Sequence, residues 1–306
     1  MIAIDWGTSS FRAYRLNAAG VVMDQRSAAA GLIACDGAFE AVLAQQLQGW
    51  DDRLIVMAGM IGSRSGWHEV PYVACPAGID EIAAGMLELN APSMPGRRIF
   101  IAPGLSDRSG AGLPEVMRGE ECQLLGLLHA LPGDGPHTVC LPGTHSKWAI
   151  AEGGCISSFQ SAMTGELYAV LKQHSLLGAL MKDEADDETA FALGVTTSSQ
   201  AGGLLNHLFS VRTCGLFGEL SASQLPSYLS GLLIGHELLG LLPVTKHVHL
   251  IGSSALLSRY QRALAMRGVE SSAHAEVLAA QGLHRLTCAR EPAWADDYPS
   301  KPIDQP

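Results

Sequence analysis

Asp5 closes a short apolar strand and runs into Trp6-Gly7-Thr8-Ser9-Ser10. A carboxylate in that place can hold a metal ion. The turn after it can aim successive backbone N–H groups at a phosphate, because glycine lets backbone approach an anion closely. A second version occurs mid-chain in Thr138-Val139-Cys140-Leu141-Pro142-Gly143-Thr144-His145-Ser146-Lys147-Trp148. Gly7, Thr8 and Ser9, and then Gly143 and Thr144, are therefore candidate phosphate cradles. Either turn alone is a weak signal: Gly-Thr hairpins are common, and an aspartate often begins a turn by bonding its own backbone. Two of them, one opening each half of the chain, point to phosphate-gripping hairpins that face each other across a cleft. That is the arrangement of nucleotide-dependent phosphoryl transfer.

Arg12 and Lys147 follow the two turns closely and could neutralise the charge of a phosphate or a substrate. A solvated cation at a strand end is the ordinary alternative. His145 can donate a hydrogen bond near the phosphates or serve the turn alone. Gly252-Ser253-Ser254, between an apolar strand and a helix, reads as an adenosine-side turn or as plain helix capping. In Val116-Met117-Arg118-Gly119-Glu120-Glu121-Cys122-Gln123 a carboxylate at a helix start could take the proton from an attacking hydroxyl. Acids favoured there by the helix macrodipole are the competing explanation, which says nothing of Arg118. The glycine-punctuated run 57–67, with Gly59, Met60, Ser63, Arg64 and Trp67, follows a buried-type strand, where open α/β sheets place their ligands. It is a candidate substrate wall, or else a flexible surface loop in which Trp67 would be out of place.

These residues need strands that end at the turns and helices that begin at the acids. The apolar pattern predicts strands over 2–5, 11–16 and 21–25, a helix over 39–50 and a strand over 54–58. A helix over 79–89, a strand over 98–102 and a helix over 120–130 follow. The breaker-dense run 131–136 marks a domain boundary. The pattern then restarts with strands over 137–141, 147–151 and 155–160. This echoes the first three strands in architecture with little residue identity, as an internal duplication into two similar lobes would. Helices are expected over 166–174, 189–195, 200–212 and 223–242, the last broken or closely packed at Gly231 and Gly235. A strand over 248–251 and helices over 255–266 and 275–289 complete the pattern. The expected domains are an N-terminal lobe, residues 1–132, and a C-terminal lobe, residues 133–290, whose final helix can pack back on the first. The first carries hairpin one and the acceptor site, the second hairpin two and the adenosine site. Residues 291–306, with four prolines and no apolar period, read as a poorly ordered tail.

Bulk properties narrow the classes. A chain of 306 residues, 47% hydrophobic, is long enough for two cores, since single cores stop growing at about 250–300 residues. The formal net charge of −10 argues against a sequence-independent nucleic-acid binder, which needs a basic surface. Seven cysteines without C-x-x-C spacing read as reduced thiols of a cytoplasmic protein, with no disulfide frame and no zinc site. The most apolar stretch, 229–244, contains His236 and Glu237 and is shorter than the roughly 20 residues that span a bilayer. It reads as a buried helix, so no membrane partner is expected.

Taken together, several segments resemble the 2-dehydro-3-deoxygalactonokinase family, within the actin/hexokinase/Hsp70-type ATPase superfamily. They are Ala3-Ile4-Asp5-Trp6-Gly7-Thr8-Ser9, Val56-Met57-Ala58-Gly59-Met60 through Gly66-Trp67, Met117-Arg118-Gly119-Glu120-Glu121 and Leu141-Pro142-Gly143-Thr144-His145-Ser146-Lys147-Trp148. Met163-Thr164-Gly165-Glu166-Leu167 and Leu229-Ser230-Gly231-Leu232-Leu233-Ile234-Gly235 extend the match in family order. The hairpins are shared across the superfamily; the Met-Arg-Gly-Glu-Glu and Pro-Gly-Thr-His-x-Lys-Trp segments are far more specific.

The resemblance implies an α/β fold of two similar lobes of ribonuclease H-like type, each a mixed sheet flanked by helices, around a central cleft. It implies ATP-dependent phosphorylation of 2-dehydro-3-deoxy-D-galactonate at its terminal hydroxyl, with Mg²⁺ at Asp5, in galactonate breakdown. In related sugar kinases a Gly-Asp-Gln segment carries the base. Gly119-Glu120-Glu121 sits in that order here, with two glutamates, so the base lies open between Glu120 and Glu121, with Glu120 favoured. Pro142 stands where relatives often carry a second acid, so the resemblance gives no support to a metal contact from that side. Arg118 is the first candidate for the substrate carboxylate, with Arg12 and Arg64 behind it. The other readings are a kinase for another 2-keto-3-deoxy sugar acid and an actin- or Hsp70-like ATPase switch without a small acceptor. Lobes this short leave no obvious room for the insertions the switch would need. The expected partners are the sugar acid and ATP, with a homo-oligomer left open.

Overall fold

β1 (Ile2–Trp6) is buried along nearly its whole length because a strand lies on either side of it. β2 (Phe11–Leu16) runs back antiparallel and sets Arg12 opposite Asp5. β3 (Val22–Ala28) continues the meander. After α1 (Leu32–Cys35) and α2 (Phe39–Gln46) the chain reaches the other side of β1 as β4 (Leu54–Ala58), parallel to it, with Ala58 level with Asp5. Four elements follow: β5 (Val73–Ala74), α3 (Ile79–Ala84), β6 (Leu87–Leu89) and β7 (Arg98–Ile101). β8 (Leu105–Asp107), β9 (Glu115–Met117) and α4 (Glu120–Leu128) come next. The main sheet has the order β3-β2-β1-β4-β7-β6, and β5-β8-β9 form a small one whose last strand stops just before Arg118-Gly119. On one face of the main sheet Ile2, Ile4, Trp6, Ile55, Met57, Ile99 and Ile101 pack against Phe39, Leu43, Leu47 and Trp50.

The computed structural model describes residues 1–109, 112–131, 133, 135–182 and 186–292. The chain divides into two compact units, one of Met1–Pro136, Ile150–Phe159 and the described residues from Glu276, the other of His137–Ala149 and Gln160–Ala275. The second opens with β10 (His137–Leu141), and its sheet continues through β11 (Ser146–Glu152) and β12 (Cys155–Ala162), of which Ile150–Phe159 groups with the first unit. α5 (Thr164–His174), α6 (Glu188–Thr197), α7 (Gly203–Leu216) and α8 (Leu225–Leu241) follow, then β13 (His247–Ile251), α9 (Ser254–Met266) and β14 (Glu270–His274). Its sheet order, β12-β11-β10-β13-β14, repeats that of β3-β2-β1-β4-β7. As in the first unit, the central strand is parallel to its later neighbour, β13, and β13 to β14. The echo read from the sequence is thus one of topology: each unit is a mixed sheet flanked by helices. α10 (Leu278–Arg290) returns to the first unit and packs on α4 and α3.

Some elements differ from the sequence reading. The helix expected over 79–89 stops at Gly85, and Leu87-Glu88-Leu89 pairs antiparallel with β7, its period-two alternation outweighing helix continuation. β14 was missed because Glu-Ser-Ser-Ala-His has no apolar period, and the final helix begins at Leu278. α8 is unbroken. Gly231 serves close packing, since a Cβ there would lie 2.1 Å from the Phe191 carbonyl oxygen of α6. No described helix is long and apolar enough to cross a membrane. In the proposed boundary run 131–136, residues 132 and 134 lie outside the described residues, as does the proposed tail beyond Pro292.

Candidate active site

In the first unit the C-terminal ends of β1 and β4 meet the start of α4. Asp5 is half-buried there; its Oδ2 accepts from Arg12 Nη1 at 3.3 Å, and Arg12 Nη2 pairs with Glu276 Oε2 at 3.1 Å. Burial pushes the Asp5 carboxyl up, and the Arg12 guanidinium pulls it back down. Oδ1 faces two glycines in the left-handed region, Gly59 (φ +94°) and Gly119 (φ +111°). A Cβ on Gly59 would stand 2.8 Å from the Trp6 carbonyl oxygen and 3.3 Å from Oδ1; one on Gly119 would stand 3.2 Å from the Gly59 Cα. Only bare backbone permits this meeting, and it leaves the Asp5 carboxylate facing the space where side chains would otherwise stand. The turn that follows closes through Gly7 N–H to the Ser10 carbonyl at 2.9 Å. It is braced by Leu32 N–H on the Gly7 carbonyl and Ile33 N–H on that of Thr8. Thr8 and Ser9 are exposed at its tip.

The two glutamates after Gly119 part company. Glu120 is half-buried, and its Oε2 accepts from the Arg118 N–H at 3.0 Å. Glu121 is fully buried, and its Oε2 accepts from the Gly119 N–H at 2.6 Å. Burial first, and the neighbouring Glu120 charge second, push the Glu121 carboxyl up to about 8. The Cys122 thiol behind it is also pushed up, by burial, Glu121, Asp5 and Glu120, so these three carboxyls share one neighbourhood. The sign of the linkage is the reverse of the usual carboxylate case. Between the ordinary value of 4.5 and about 8 the folded chain keeps a proton that the unfolded chain has lost, so Glu121 weakens the fold as pH rises. Glu121→Gln should therefore match the parent in urea denaturation at acid pH and exceed it above pH ~8. Equal loss of stability in both proteins on going from pH 5 to 8.5 would assign the ionisation elsewhere.

The run after β4 is folded back on itself, with Trp67 N–H donating to the Ile61 carbonyl and Val70 N–H to that of Gly62, each at 2.9 Å. Met60 and Trp67 are half-buried, and Trp67 packs against the sheet core. Arg64 is not brought to the carboxylates; its side chain is 87% exposed, with Glu69 at 3.5 Å. Arg118 is buried, lies 4.3 Å over the Tyr72 ring and donates from Nη2 to the Val70 carbonyl at 2.7 Å. Its Nε and Nη1 are buried without a hydrogen-bond partner, and so is the Ser63 hydroxyl. Nη1 would lie 2.9 Å from a Cβ on Gly62, the residue before Ser63. Unpartnered buried donors of this kind call for an explanation, and an anionic ligand is one.

In the second unit the turn after β10 sits on the first turn of α5. The Glu166 N–H donates to the Thr144 carbonyl at 2.9 Å, and a Cβ on Gly165 would lie 2.3 Å from the Gly143 carbonyl oxygen. Gly252, at the end of parallel β13, lies beside the Pro142 carbonyl, and Ser253 stands exposed at the start of α9. A cavity of about 250 Å³ opens against Gly143 and Thr144, walled by Thr164, Tyr168, Leu256 and Tyr260 among others. His145 pairs with Glu166, and Lys147 is buried with Nζ donating to Ser161 at 2.7 Å; neither lines this cavity. Thr164 and Tyr260 were not among the expected site residues. The Thr-Gly pair at the head of α5 was a readable signal for the first; nothing in the sequence singled out the second.

A family model described as 2-keto-3-deoxy-galactonokinase matches residues 5–286. The 2-dehydro-3-deoxygalactonokinase of Escherichia coli (strain K12) is 35% identical over 278 residues, 89% of this chain and 91% of that protein. A solved structure of a 2-dehydro-3-deoxygalactonokinase homologue from Sinorhizobium meliloti superposes with a TM-score of 0.87 at 36% identity, over 95% of this chain and 99% of its own. The activator of 2-hydroxyisocaproyl-CoA dehydratase from Clostridium difficile, 12% identical with a TM-score of 0.51 over 100% of this chain and 99% of its own, shares the fold alone.

Proposed function

The chain belongs to the 2-keto-3-deoxy-galactonokinase family, and from that premise we propose how its residues move a phosphoryl group from ATP to a sugar acid in the cytoplasm. The reaction is phosphorylation of 2-dehydro-3-deoxy-D-galactonate, at its terminal hydroxyl, in galactonate catabolism. Membership in this family sets aside the reading as a partner-switching ATPase. The observation that carries the assignment of roles is the meeting of Asp5, Gly59, Gly119 and the two glutamates at the ends of β1 and β4.

Thr8 and Ser9, at the tip of the turn that Gly7 closes, and, on the second turn, Gly143 and Thr144 present backbone N–H groups to the nucleotide phosphates. The cavity beside Thr144, with Gly252 and Ser253 near its turn, seats the rest of the nucleotide. The surroundings of Asp5 fit a magnesium ion: a hard carboxylate oxygen at a strand end, aimed at the space that Gly59 and Gly119 leave free. Such an ion would neutralise charge gathering on the transferred group. Glu120 takes the proton of the acceptor hydroxyl; its half-exposure supports this role over Glu121, which is sealed from any acceptor. Arg12 steadies Asp5. Arg118 reads the substrate carboxylate, with Ser63 beside it and Gly59, Met60 and Trp67 forming the wall.

Acceptor-dependent ADP release across a panel of 2-keto-3-deoxy sugar acids tests the reading. The galacto epimer should give the highest kcat/KM. Equal ADP release without any acceptor, or a higher kcat/KM for the gluco epimer, would overturn it. Arg118→Lys should raise KM for the sugar acid by about tenfold or more, because a single ammonium cannot form the two parallel bonds of a guanidinium fork. KM for ATP should stay nearly constant. A rise in KM for ATP instead would move Arg118 to the phosphate site.

A further inference from the structure

α8 is apolar over almost its full length, yet Glu237 sits in it with only 6% of its surface exposed. A carboxylate in that setting is costly unless donors surround it. Three do, each from a different element. Trp148 Nε1 of β11 donates to Oε1 at 2.7 Å, while the Tyr260 hydroxyl of α9, at 2.7 Å, and the Thr164 hydroxyl at the head of α5 both donate to Oε2. The Ser146 hydroxyl adds a bond to Tyr260 at 2.9 Å. Burial pushes the Glu237 carboxyl up, and the bonds from Thr164, Trp148, Tyr260 and Ser146 pull it back.

A tie between helices and sheet would account for the donors but not for where they lead. Thr164 and Tyr260 are walls of the cavity beside the Gly143-Thr144 turn, and Glu237 stands behind both. Through Thr164 the carboxylate also fixes the first turn of α5, which carries the Glu166 N–H that holds the Thr144 carbonyl. Packed apolar residues would join these elements at least as firmly. What a buried carboxylate adds is direction: it fixes where two hydroxyls stand and, through them, the backbone of the turn.

We propose that Glu237 is a positioning residue for the nucleotide, holding Thr164, Tyr260 and the Gly143-Thr144 turn in the arrangement that ADP and ATP bind. This rests on the reading of the adjoining cavity as the nucleotide's seat. Glu237→Gln keeps the volume but turns one acceptor into a donor facing two hydroxyls. Trp148→Phe is the second variant: it strips one donor from the carboxylate without touching the cavity wall. Calorimetric titration with ADP should show Kd raised about tenfold per folded molecule in Glu237→Gln, the size of one lost charge-assisted bond. Trp148→Phe should shift it in the same direction. KM for ATP should follow, while KM for the sugar acid stays within twofold.

A purely structural tie would lower Tm and leave Kd for ADP unchanged, and that result overturns the proposal. If Glu237→Gln does not fold, Trp148→Phe alone decides by the same criterion. Leu256→Trp, which fills the cavity, separates the two layers. If it leaves ADP binding intact, the cavity is not the nucleotide's seat and the proposal falls with that reading. If it abolishes ADP binding while Glu237→Gln binds normally, the seat stands and only the positioning role is lost.

Discussion

Asp5→Asn is expected to fold like the parent and to lose about a thousandfold or more in kcat, since a metal-organising carboxylate stands for several kcal/mol of transition-state stabilisation. The fold should tolerate the change because opposing effects nearly cancel. Asparagine keeps the size and the turn bonding. It forfeits the pairing with Arg12 Nη1, but removes a carboxylate that burial disfavours, and Arg12 keeps Glu276 at 3.1 Å. The loss should therefore be in chemistry. Circular dichroism and Tm should match the parent within a few degrees, and raising Mg²⁺ should restore little. Turnover near the parental level at saturating Mg²⁺ would remove Asp5 from the mechanism.

What the sequence disclosed follows the range over which each interaction acts. The two Gly-Thr turns, the strands before them and the glutamates at the start of α4 are local features, and patterns of a few residues show them. Leu54–Ala58 was legible to the residue, because five buried apolar positions followed by a glycine have few other readings. β14 and the three-stranded β5-β8-β9 sheet were not, because short or polar strands exist only through their partners. The same holds for the sites. The meeting of Gly59 and Gly119 depends on β4 and α4 arriving at one place, which no spacing rule reveals. Glu237 was visible as a lone acid in an apolar run, but its donors lie at positions 148, 164 and 260, scattered along the chain. Arg64, attractive as a cation in a glycine-rich loop, points instead into solvent beside Glu69.

Glu120→Gln should lower kcat by about 10²–10⁴, the usual worth of a positioned general base, and change ATP affinity little. A sugar hydroxyl is a poor nucleophile, but the transition state of phosphoryl transfer is loose, so the base contributes late proton removal and alignment. The half-buried Glu120 can meet an acceptor; its present bond to the Arg118 N–H also ties it to the segment proposed to read the substrate carboxylate. Glutamine can still accept that bond, so ground-state binding should survive. Glu121→Gln should be much milder. A fully buried carboxyl pushed up to about 8 is largely protonated at neutral pH, and an amide closely replaces a neutral acid that accepts from the Gly119 N–H. The two variants therefore differ in kind. One removes a base from beside the acceptor; the other removes a proton that the fold itself holds. If Glu121→Gln abolished turnover while Glu120→Gln stayed active, the roles would be reversed. The base would then have to reach the acceptor from a sealed position, which requires α4 to open. If both variants remained active, proton removal would belong to a group outside the Arg118–Glu121 segment.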